Sequence, residues 1–308
     1  MKVFCHGFCD VFGPPNETDF YTRAPFVTSR AAAVFLKLLS NVFQEEVQYG
    51  SLDESDLLIE SVFSKDTCLD KKNWKCTFLW SGESNFNLFH KRYTYVLGAS
   101  PTTGCYVSFP FFLLCATERN WVERMESFPP VTVIPPKDIV VIVSNGGCWE
   151  RNMFLHHISQ AFKVDFAGGY RTNVPQLQHP FCSDAFNAFV SQYKVIITME
   201  NVSKEEYITE KILHGMVNGT VPVYWGAPNV TEYFNEDRFI RLPDMSTQSI
   251  AVALGQIKNV LEDSQAWLSM VNQPIFTKGR LKRTLAHVAN DIKQVIHQPL
   301  GSNTPQHK

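Results

Sequence analysis

Between an apolar run, Val195 to Met199, and a helix-like segment, the chain places Glu200, Asn201, Tyr207, Glu210 and Lys211. An acid, an amide, an aromatic ring and a Glu–Lys pair thus meet where a strand gives way to a helix. In open α/β sheets the carboxyl ends of the strands are where ligands sit. Lys211 falls in the first helical turn, where the helix end is already positive, so an ammonium there is a poor electrostatic choice unless an anion docks beside it. Glu210 can accept from a ribose diol, and Tyr207 can stack on a base or close over it. The group therefore suits a nucleoside diphosphate. A solvated Glu–Lys pair on an exposed helix explains the spacing about equally well.

Two further stretches favour the ligand. Arg171 stands in GGYRTN, where two glycines let backbone approach closely and an arginine supplies a phosphate-type cation. Ser144 opens SNGG, a tight loop before the helix that carries Arg151. Neither a GxGxxG run nor a Walker Lys–Ser/Thr pair is present, which argues against ordinary dinucleotide or ATP binding.

The elements that must hold these groups alternate. An opening strand at Val3, a helix through RAAAVFLKLLSNVF capped by Thr28 or Ser29, and apolar strands at Asp56–Phe63 and Cys76–Trp80 form a first α/β half. After the proline-rich stretch Phe128–Pro136 the rhythm restarts with strands near Asp138–Ser144, Lys194–Met199 and Thr220–Gly226. The helix TEKILHGMVN between the last two is capped by Thr209, or by Ser203 with Glu206, and closed by Gly219. Residues 1–130 and 131–275 are expected as two Rossmann-like domains with parallel sheets facing across a cleft. Residues 276–308 are expected as a helix packing back on the first domain, with a frayed tail.

The 308 residues are 44% hydrophobic and 19% charged, with 24 Phe and 6 Trp, enough to build two cores. A net charge of -2 argues against a nucleic-acid binder. The longest apolar stretch, Tyr106–Leu114, contains Pro110 and is far short of the roughly 20 residues that span a bilayer. With no leader-like start, the expectation is a soluble, cytoplasmic protein. Eight cysteines without a dense framework are expected to be reduced, and CHGFC (Cys5 to Cys9) lacks the second ligand pair of a structural zinc site, so no metal is expected.

The segment from Tyr193 to Leu242 resembles the signature region of the α1,3-fucosyltransferases. The matching residues are Tyr193–Lys194, Glu200–Asn201, Tyr207 to Lys211, Val221–Val223, and Gly226 with Pro228. WSGESNFNLF (Trp80 to Phe89) is similar to the Gly-Glu block of the bacterial members' acceptor domain, and GCYVSFPFF is similar to a later segment of it. The resemblance covers about residues 75–245. It implies a GT-B architecture and an inverting transfer of fucose from GDP-fucose to a glycan hydroxyl. It implies donor contacts by Arg171, Asn201, Tyr207 (guanine), Glu210 (ribose) and Lys211 (diphosphate), with Glu83 as the base. It also implies no required cofactor or metal, and no Asp-x-Asp occurs. Departures are Met199 in place of an aromatic residue, a more charged loop VSKEE, and no anchor, stem or heptads, as in soluble microbial or viral members.

Glu200 is a weaker candidate for steadying the oxocarbenium-like centre, and Asp10 or Glu60 could rival Glu83 as base. Acceptor contacts are expected from first-domain loops near Asn85 and Arg92, without a legible acceptor or oligomeric state. Two alternatives stay open: the same fold using GDP-mannose or a related sugar, and a non-catalytic glycan-binding protein on this scaffold.

Overall fold

A computed structural model of the chain describes residues 1–8, 28–63, 66–86, 90–177, 181 and 183–296. Cys9, Asp10, Cys182 and the C-terminal tail lie outside them. The first half runs β1 (Lys2–His6), α1 (Thr28–Phe43), β2 (Gln48–Tyr49), β3 (Leu57–Ser61), β4 (Cys76–Trp80), β5 (Tyr95–Gly98), β6 (Tyr106–Ser108), α2 (Phe111–Glu118) and α3 (Trp121–Glu126). The second runs β7 (Lys137–Val141), α4 (Trp149–Ala161), β8 (Asp165–Phe166), α5 (Asp184–Val190), β9 (Tyr193–Ile197), α6 (Glu210–Met216), β10 (Val221–Tyr224), β11 (Ile240–Arg241), α7 (Thr247–Glu262), α8 (Ser264–Val271) and α9 (Leu285–Ile296).

Two sheets result, ordered β2-β1-β3-β4-β5-β6 and β11-β10-β9-β7-β8. Every named pairing in them is parallel. The sequence dictates this. LLIES and CTFLW are buried along their whole length, as strands covered on both faces must be. In α1, Val34, Phe35, Leu38, Leu39 and Val42 fall on one stripe and are buried against that sheet. Gly219, at φ +64°, closes the α6 segment as expected of a helix end.

The halves share more than a linker. One continuous core joins the helices α1 and α2 of the first half to α6 and α9. Phe112 packs edge-on to Tyr233 and Phe234 at 5.3 and 5.0 Å between ring centres. Its amide donates to the Ile208 carbonyl at 3.0 Å, so the first turn of α2 is capped by the second half. The helix α9 lies against α1 and β6, and Arg283 just before it donates to the Ser108 carbonyl at 2.9 and 2.6 Å. No helix among the described residues is long and apolar enough to cross a membrane.

Candidate active site

The loops leaving the carboxyl ends of both sheets meet at one place. From the first sheet comes Ser81–Phe86, after β4. Ser81 is buried; its hydroxyl donates to the carbonyls of Glu83 and Asn85 at 3.2 and 2.9 Å. This folds the loop tightly and leaves the Glu83 side chain exposed at its tip. From the second sheet comes the loop 200–209, after β9. Lys204 in that loop donates to the Ser84 carbonyl, and its ammonium stands 5.2 Å over the Phe86 ring. The carboxylate expected to act as base is therefore carried on the loop that the donor-side loop grips.

The same loop carries a second strut. Glu206 is 6% exposed and sits at φ +64°, a strained conformation for a residue with a side chain. Its carboxylate accepts from Ser108 Oγ of the first half, from Tyr233 Oη at 2.7 Å and from Asn229 Nδ2 at 2.5 Å. These bonds satisfy a buried charge that would otherwise be costly, and they hold the strained backbone in place. Glu206 thus does not cap α6. Thr209 does, its hydroxyl accepting from Lys211 N, while Ser203 Oγ donates to the Gly226 carbonyl at 2.8 Å.

Glu200 has another role from the one expected. It is fully buried, and its carboxylate accepts from Thr209 N at 2.7 Å, Thr209 Oγ1 at 2.8 Å and Lys211 Nζ at 3.2 Å. A group with no exposed surface, wholly engaged inside the protein, is not offered to a donor sugar; it braces the start of α6. The anion that rationalises a lysine in this first turn is therefore partly internal. Burial pulls the Lys211 ammonium down, but the Glu200 carboxylate, with Glu210 and Tyr207, outweighs it, so Lys211 is held firmly charged. Its side chain keeps 24% exposure, so it still presents charge to solvent.

Tyr207 also differs from its expected part. Its side chain is 2% exposed and offers no open face for a base to stack on. Burial, opposed by Lys211 and reinforced by Glu200 and Glu83, pushes its phenol up, which places it among these groups as a neutral wall. Glu210 is half-buried with no hydrogen bond to its carboxylate among the described residues.

Arg151, on α4, was named in the sequence but given no task. It is 1% exposed, donating to Asn201 Oδ1 at 2.6 Å and to the Asn145 carbonyl at 2.5 Å, with Nε unpartnered. Burial pulls its guanidinium down, the cost of a cation without a bonded carboxylate. Asn201 is thereby fixed from within. Ser144 is exposed at the end of β7, close to Gly169. The two loops interlock here: a Cβ on Gly168 would stand 2.3 Å from the Val143 carbonyl, and the Tyr170 ring covers Gly146. Arg171, at φ +54°, is exposed with its guanidinium 5.3 Å from the Tyr170 ring centre. At this end of the second sheet Arg171 is exposed and Lys211 partly so, with the buried Arg151 behind Asn201.

Of the rival bases, Glu60 is fully buried and bonded to Thr67, Tyr93 and the Cys68 amide. Asp10 lies outside the described residues. Arg92 pairs with Asp70 at 2.6 Å on the surface of the first half. A cavity of about 310 Å³ opens between the halves, lined by Thr102, Ser108, Glu206, Tyr233 and Arg283 among others; Glu83, Tyr207 and Lys211 are not on its wall.

Two parallel-sheet α/β halves with their strand ends converging define a GT-B glycosyltransferase fold. A crystal structure of an α1,3-fucosyltransferase with GDP-fucose superposes with a TM-score of 0.67 at 17% identity, covering 97% of this chain and 90% of that one. Residues 135–271 match the model of glycosyltransferase family 10 (fucosyltransferase), C-terminal part. The chain is 35% identical over 130 residues to the α-(1,3)-fucosyltransferase FucT of Helicobacter pylori, 42% of this chain and 26% of that protein. It is 25% identical over 180 residues to the human GDP-fucose protein O-fucosyltransferase 3, 54% of this chain and 37% of that protein. The chain thus spans well under half the length of these relatives.

Proposed function

We propose that this protein transfers fucose from GDP-β-L-fucose to a hydroxyl of a glycan, with inversion, giving an α1,3-type linkage. The observation that carries the reading is the grip of Lys204 on the loop of Glu83, because it joins a carboxylate from one half to the loop before Lys211 in the other. Breaking the sugar–phosphate bond gathers negative charge on the leaving GDP. Arg171 and Lys211 stabilise it, Arg151 acting through Asn201 and the local field, with no step requiring a metal. Glu210 takes the ribose hydroxyls. Glu83 removes the proton of the acceptor hydroxyl as that oxygen attacks the sugar carbon from the face opposite the diphosphate. Tyr207 then serves as a wall between donor and base.

The test is incubation with GDP-fucose and an array of acceptors, beside a panel of GDP-sugars without acceptor. Fucosylation of a glycan is expected; a preference for GDP-mannose would overturn the donor assignment. Since one set of relatives is named for protein O-fucosylation, folded protein domains belong on the array. Calorimetry showing no GDP binding would make the non-catalytic alternative the better reading. Glu83→Gln is expected to leave GDP affinity unchanged and cut turnover by roughly 10²–10⁴.

A further inference from the structure

At the carboxyl end of the first sheet His6, Glu60 and Cys68 bring an imidazole nitrogen, a carboxylate oxygen and a thiol sulfur within 4.8 Å of one another. His6 ends β1 and Glu60 lies beside it in β3, the two being register partners. Asp66 adds a carboxylate oxygen 3.1 Å from His6 Nε2. We propose that these four side chains form a binding site for a single divalent transition-metal ion, zinc above all.

The donor set is one that zinc takes: sulfur, imidazole nitrogen and carboxylate oxygen in a tetrahedron, with bonds of about 2.0–2.3 Å. Ligand atoms around such an ion stand roughly 3.3–3.8 Å apart, so closing the His6, Glu60 and Cys68 trio requires movements of about an ångström, with Asp66 swinging in from outside it. The inner part is already fixed. Glu60 is fully buried, and Thr67 Oγ1 and Tyr93 Oη donate to its Oε2 at 2.8 and 2.6 Å. Its Oε1 faces the site, 3.8 Å from His6 Nε2, and accepts the Cys68 amide at 2.8 Å. Trp74 Nε1 donates to the Cys68 carbonyl at 3.0 Å, which pins the thiol-bearing residue. Such outer bonds orient metal ligands and are part of the affinity. His6 Nε2 lies 3.8 Å from the buried Glu60 carboxylate, and buried carboxylates are paired or coordinate metals. The mobile side is the outer one, where Asp66 is exposed and His6 partly so. Binding displaces the Cys68 proton to solvent, since the thiolate is the ligand. The ion would tie the segment after β3 to the end of β1.

The experiment uses the full chain, stripped with a chelator and titrated with cobalt(II), then challenged with zinc(II). About one equivalent of cobalt is expected to bind, with tetrahedral visible bands and thiolate-to-cobalt charge transfer that zinc abolishes. Cys68→Ser is expected to lose the charge-transfer band, and Cys105→Ser to keep it. Tyr93→Phe retains every ligand and is expected to bind roughly 10–100-fold more weakly. A chain that shows no saturable thiolate band, or a folded Cys68→Ser variant that retains it, overturns the proposal. Should Cys68→Ser not fold, His6→Gln decides: an unchanged affinity removes the site. None of these readouts depends on transferase activity.

Discussion

Replacing Glu200 by Gln isolates what the buried carboxylate contributes at the head of α6. The amide oxygen can still accept from Thr209 N, as the carboxylate does at 2.7 Å. The amide nitrogen then faces Lys211 Nζ, which lies 3.2 Å from the oxygen it replaces. Two donors confront each other, and the ammonium loses its carboxylate and keeps Thr209 Oγ1, at 3.1 Å, as its acceptor. A hydrogen bond to a charged group contributes about 1.5–3 kcal/mol, and breaking a buried pair costs about 3–5 kcal/mol. Lys211 keeps 24% exposure and can turn toward water, so the lower end of that range applies, about 3 kcal/mol. Denaturant unfolding monitored by tryptophan fluorescence measures it. Removing the competing carboxylate should at the same time leave GDP binding as tight or tighter, because Lys211 then answers to one anion. A stability loss under about 1 kcal/mol, less than one charged hydrogen bond, would refute the bracing role. Weaker GDP binding in a folded variant would restore Glu200 to the ligand site.

Lys204→Met should lower turnover roughly 10–100-fold with GDP affinity unchanged, since it loosens the Glu83 loop rather than the donor site; steady-state kinetics with a KM-against-kcat split checks it. Lys211→Ala should weaken GDP binding by about 1.5–3 kcal/mol in calorimetry. Gly226→Ala puts a methyl 2.4 Å from Glu200 Cγ, and a loss of about 1–3 kcal/mol in denaturant unfolding is expected. His214, buried against Phe186 with Nε2 unpartnered, has its imidazole pulled down to about 4 by burial. The unfolded chain therefore binds the extra proton first, and stability should fall as pH drops from about 6.5 toward 4, by up to about 3 kcal/mol; His214→Phe should flatten that slope.

The apolar strands β3, β4, β7, β9 and β10 could be read directly, because a run buried on both faces leaves a continuous signature. The segment Tyr106–Leu114 could not. It reads as one apolar stretch, yet it holds β6, Pro110 as the residue that starts a helix, and the first half of α2. Periodicity does not separate a buried strand from a buried helix over so few residues. The two-residue strands β2 and β11 were missed because so few residues leave no pattern, and β5, as long as β10, was missed without that excuse.

In the site, the residue types were legible and their partners were not. A lysine in a first helical turn signals an anion, but whether that anion is a ligand or Glu200 depends on how the chain turns between β9 and α6. Lys204 and Glu206 looked like extra charge in a variable loop. Their meaning comes from Ser84 and Ser108, 120 and 98 residues earlier in the chain. Both contacts reach from the second half into the first within three residues of each other. One loop therefore sets the position of the expected base and fixes the seam between the halves. Under the proposed function, a donor that shifts Tyr207 or the start of α6 would load these two struts and so couple its binding to the placement of Glu83. That coupling follows from the Lys204 and Glu206 contacts, not from the signature residues on either side of them.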